Sequence, residues 1–90
     1  MFKMTWALAA QHVDQWAGDD FTEAAAVFRT RTNATMLAAG MKAPQRETFY
    51  EEFIGPISDR IAEQGRTAVE AGQAWDTARG PILLALVPAA

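Results

Sequence analysis

Tyr50, Ile54, Ile57, Ile61, Gln64, Ala68, Ala71, Trp75 and Ala78 follow one another at alternating steps of four and three, and all but Gln64 are apolar or aromatic. Such a stripe lies along one side of an α-helix, and a seam that narrow usually meets another helix. The spacing therefore predicts a long helix that needs a packing partner. Phe2, Trp6, Ala9, Val13 and Trp16 repeat the same steps and predict an earlier helix over about residues 5–17, with Thr5 as its N-cap and Gly18 as its stop. Asp20-Phe21-Thr22-Glu23 is an acidic variant of the capping box and opens a helix over 20–39. That helix is expected to bury Phe21, Ala25, Phe28, Met36 and Ala39, and Gly40 ends it.

Pro44 suits the first turn of a third helix. Gly55-Pro56 then removes a backbone donor and disfavours a helical residue before the proline, so a kink or a break is expected there, giving helices over 44–54 and 56–79. Gly80-Pro81 ends the last of them. The tail Ile82-Leu83-Leu84-Ala85-Leu86-Val87 is too apolar for a solvated linker and has to be covered by this chain, by a neighbour or by lipid. The fold class expected from these patterns is all-α: a bundle of three to four helices (about 5–17, 20–39, 44–54 and 56–79) in one domain, 1–90, with an apolar C-terminal tail. Tyr50, Ile54, Ile57, Ile61, Ala68 and Trp75 on the stripe, with Ile82, Leu83 and Leu86 in the tail, are the expected interface.

Composition supports helices and narrows the chemistry. Half of the 90 residues are hydrophobic and alanine supplies about a fifth, while valine and isoleucine are few. A net charge of −3 argues against nucleic acid, whose phosphates are bound by lysine and arginine, and against anionic membranes. No cysteine is present, which excludes disulfides, thiolate zinc sites and a cysteine nucleophile. The apolar N-terminal run is interrupted by Gln11, His12 and Asp14, so it reads as a helix and not as a secretion signal. No run reaches the ~20 apolar residues of a membrane span. A cytoplasmic protein, or part of a soluble assembly, is expected.

Candidate chemistry is sparse. His12 is the only histidine, and without a serine or cysteine to activate it reads as a surface residue. Glu47, Glu51, Glu52, Asp59 and Glu63 sit among Arg46, Arg60 and Arg66 and read as a solvated, partly paired face. Arg29, Arg31, Lys42 and Arg46 form a candidate basic patch suited to an acidic partner. Asn33-Ala34-Thr35 matches the glycosylation sequon inside a predicted helix, where chance explains it. The six glycines form no phosphate loop. No catalytic residue, cofactor or metal is expected, and the tryptophans and phenylalanines read as core or interface anchors.

From Ala24 to Trp75, two alanine-rich amphipathic helices are joined by Gly40-Met41-Lys42-Ala43-Pro44. In composition and helix–loop–helix layout this segment resembles phasins, the helical proteins that coat polyester storage granules; phasins are usually longer. The resemblance implies adsorption to a lipid or polymer body. The leading expectation is a non-enzymatic structural or assembly protein, packing into a homo-oligomer or a larger complex such as a phage particle. A small regulator or inhibitor with one protein partner is a further alternative.

Overall fold

Phe2, Met4, Trp6 and Leu8 alternate with Lys3, Thr5 and Ala7, and this period of two prevails over the helical spacing that the same segment also carries. The computed structural model describes residues 1–89. In it the chain is α+β: a four-stranded antiparallel sheet with two helices, not the all-α bundle expected. The strands are β1 (Phe2–Leu8), β2 (His12–Gly18), β3 (Trp75–Arg79) and β4 (Ile82–Pro88), in spatial order β2-β1-β4-β3. Both chain ends thus supply a hairpin, and β1 and β4 pair as the central strands.

The expected helix over 5–17 is the β1–β2 hairpin, with Leu8 opposite His12 and Phe2 opposite Gly18. The apolar tail is β4. Isolated strands of this kind cannot be told from helix by spacing alone; pairing decides, and here each central strand finds two neighbours.

Helix α1 (Phe21–Ala38) matches the expected element within a residue. The Asp20 carboxylate accepts from the Thr22 and Glu23 amides at 2.8 and 3.1 Å, which is the N-cap half of the expected box. Gly40 takes φ +82° beyond its end, with the Met41 amide bonded back to Met36 O. Its buried face is Ala24, Ala25, Phe28, Thr32 and Met36; Ala39, expected inside, is exposed.

The second helix, α2, covers residues 43–70 without a break. It is α-helical over Ala43–Phe49, Gly55–Arg60 and Arg66–Glu70, with wider π turns at Tyr50–Ile54 and Ile61–Gly65. Gly55-Pro56 neither breaks nor separates it. Pro56 has no N–H for the Glu52 carbonyl one turn back; instead Arg79 Nε, at the end of β3, donates to that carbonyl at 2.5 Å. The first π turn, closed by the Gly55 amide on Tyr50 O, lies directly before the proline.

α2 ends at Glu70, well before the expected boundary of 79. Gly72, at φ +77°, turns the chain, with the Gln73 amide on Ala68 O. Trp75–Arg79 is therefore strand, and the last part of the 50–78 stripe is not helical at all.

Both helices lie on one face of the sheet. Phe2, Met4, Trp6, Ile82, Leu84 and Leu86 from the strands meet Ala25, Phe28, Met36, Ile54, Ile57 and Ile61 from the helices, all buried. Trp6 meets Phe28 edge-on at 5.7 Å, and Phe2 stacks on Phe21 at 4.3 Å. Gly65 marks a close approach of α2 to the sheet: a Cβ there would lie 2.7 Å from Leu86 Cδ1.

Candidate functional site

Strand pairing places alternate residues on the sheet face away from the helices. Three rows cross it: Ala17, Lys3 and Val87; then Gln15, Thr5, Ala85 and Asp76; then Val13, Ala7, Leu83 and Ala78. Most of these side chains are apolar. Val13, Leu83 and Val87 are 69, 59 and 50% exposed. Around Thr5, Ala7, Val13, Leu83 and Ala85 the face forms a shallow, largely apolar hollow of about 370 Å³.

β4 is the unusual strand. One side, Ile82, Leu84 and Leu86, is sealed in the core, and the other, Leu83, Ala85 and Val87, is also apolar. Strands that are apolar on both sides belong to sheets covered on both faces, whereas an antiparallel sheet with one wet face alternates apolar with polar. Lys3 and Asp76 are the face's only charges, and among the described residues neither joins an ion pair within the chain.

The remaining cations are mostly engaged. Arg29 donates to Ser58 Oγ at 2.6 Å, satisfying a buried hydroxyl, and Arg60 donates to Thr77 Oγ1 at 2.9 Å, tying α2 to β3. Arg31 bridges Asp14 and the Gln15 carbonyl, and Arg46 donates to Met41 O. Arg66 pairs with Glu70 one turn on, whose hydrogen bond and charge raise the guanidinium's pKa. The basic patch expected from Arg29, Arg31, Lys42 and Arg46 is not assembled: Arg29 and Arg46 line an open cleft of about 540 Å³ between α1 and α2 with Glu47, Tyr50 and Glu51, while Arg31 turns toward β2.

The expected interface residues divide sharply. Ile54, Ile57, Ile61, Ile82 and Leu86 are 0% exposed, so they hold this chain's own core together. Ala68 and Trp75 are half-buried, and Tyr50 lies at the edge of the α1–α2 cleft, 38% exposed. Leu83 alone of the set points outward from the sheet. Of its companions, Ala85 and Val87 belong to the tail expected to need cover and Val13 to an expected helix face, but helical spacing in β1 and β2 hides that they share one sheet face with Ala7. The available signal is the unbroken apolar run 82–87, which fits a strand apolar on both sides as well as it fits a tail.

His12 opens edge strand β2 and shares a polar pocket of about 280 Å³ with Gln11, Asp14, Thr32 and Thr35. Asp14 is held there by Arg31 and by the Gln15 amide. Among the described residues no group of three or more histidine, aspartate or glutamate side chains could hold a metal ion. Asn33, of the sequon, lies within α1. Among the described residues no helix is long and apolar enough to cross a membrane. The helical segment that resembles phasins packs its apolar faces against the sheet. Comparison with family models, curated proteins and solved structures finds no match to this chain.

Proposed function

We propose that this chain is a non-enzymatic association module and that it binds a protein partner through the open face of its sheet. The observation that carries this reading is β4: Leu83 and Val87 are as apolar as the core side of the same strand, yet half exposed or more. Burying such side chains is worth roughly 25 cal/mol per Å² of apolar area removed from water. The monomer forgoes that gain, and a partner covering the face collects it. Small side chains at Ala7, Ala17, Ala78 and Ala85 leave the face flat enough for close packing.

Replacing Leu83 and Val87 together by lysine tests the reading. In dilute solution the parent chain should bind a hydrophobic dye; the variant should keep its melting temperature by circular dichroism, because neither side chain belongs to the core, and should not bind the dye. Unfolding of the variant, or unchanged dye binding, would contradict it.

A further inference from the structure

Resting on that reading, we infer that the partner on the open face is a second copy of this chain, docked face to face about a two-fold axis. The two charges of the face point to this arrangement. Lys3 lies on β1, in the row of Ala17 and Val87; Asp76 lies on β3, two strands away and one row along, beside Ala85. They have opposite signs and sit away from the centre of the face, which falls between Thr5 and Ala85.

On the regular lattice of a sheet, a two-fold axis in the plane of the face, passing through that centre, exchanges these two places. Lys3 of one copy then stands over Asp76 of the other, and the same contact is made a second time by symmetry. The rest of the covered surface is Thr5, Gln15 and apolar side chains, so no like charges oppose one another. The axis is oblique to the strands, so the strands of the two copies cross steeply, as in orthogonal sheet packings. A face with two charges of one sign, or with one charge alone, would have no such self-complementarity.

The size of the face sets the strength. Four strands about 4.8 Å apart, three of seven residues and one of five, give a footprint of ~400 Å² on each copy, or ~800 Å² buried in all. That is below the ~1,200 Å² at which stable specific interfaces begin and corresponds to a weak, concentration-dependent dimer.

Light scattering on the full chain from about 1 μM to about 500 μM spans the range in which such a dimer forms. The parent should pass from monomer to dimer and stop there, since an isologous contact is closed. Lys3→Asp and Asp76→Lys should each weaken the dimer by about tenfold or more, because each places two like-charge pairs in the interface. Both changes in one chain should restore it. All three variants alter side chains of the open face, and melting curves establish that they fold. A parent that stays monomeric overturns the inference, as do growth beyond a dimer and a dimer indifferent to the single charge reversals. A monomeric parent whose dye binding is still abolished by the Leu83 and Val87 replacements would leave the open face as a binding surface for a different protein. If dye binding also fails to respond, the binding surface itself falls.

Discussion

Two alanines are the non-glycine residues with positive φ among the described residues. Ala9 and Ala10, in the β1–β2 loop, take φ of +53° and +56°, a left-handed conformation that costs an L-residue with a Cβ about 1–2 kcal/mol. Both side chains are exposed, so nothing in the packing asks for them. Ala10→Gly should therefore stabilise the chain by about 0.5–1 kcal/mol after the extra entropy of glycine in the unfolded state is counted. Thermal unfolding checks this, with a rise of several degrees expected. Gly65 makes the opposite case. Alanine there would gain about 1 kcal/mol of helix propensity but meet Leu86 at 2.7 Å and Trp75 at 3.0 Å, and overpacking of a filled core costs about 1–3 kcal/mol. Gly65→Ala should lower the urea midpoint. At this scale the sequence is partly legible: Asp20 as a cap and Gly40 as a stop are local chemistry, readable from neighbours alone. Gly72 as a stop is equally local, but the apolar stripe runs through it and hides it.

The elements show why periodicity misleads. The stripe of 50–78 holds at Ile54, Ile57 and Ile61, but the π turn at Ile61–Gly65 inserts an extra residue, and the buried position moves from Gln64 to Gly65. A fixed step of three and four cannot anticipate such a turn. At 2–16 a helical spacing and a strand alternation coexist in the same letters, and pairing selects the strand, with β4 from the far end of the chain completing the sheet beside β1. Part of what makes this choice therefore lies at the other end of the chain. The continuity of α2 through Pro56 has the same long-range origin, since Arg79 serves the carbonyl that the proline leaves without a donor. Arg79→Ala should cost about 1 kcal/mol. In a Pro56→Ala background the same change should cost almost nothing, because the introduced alanine supplies the missing N–H. A double-mutant cycle on urea midpoints measures this coupling, expected at about 1 kcal/mol, and independent effects would refute it.

As a whole the molecule is a two-layer object with one finished face and one bare one. The same class of residue has opposite duties on the two faces. Ile57→Asp puts a charge into the sealed layer and should prevent folding, as circular dichroism would register by loss of the cooperative transition. Leu83→Lys, on the bare layer, should change stability by no more than about 0.5 kcal/mol while abolishing association. The expectation of a packing protein thus remains as a proposal, but its surface has moved from a helix seam to a sheet. The most direct test is an amide chemical-shift map of the chain across a concentration series. Peaks that move with concentration should cluster at residues 3, 5, 7, 13, 15, 76, 83, 85 and 87, with the helices silent. Shifts centred on α1 and α2, around Tyr50 and the cleft it borders, would contradict an association through the sheet, and a spectrum that does not change at all would contradict the pairing of two copies.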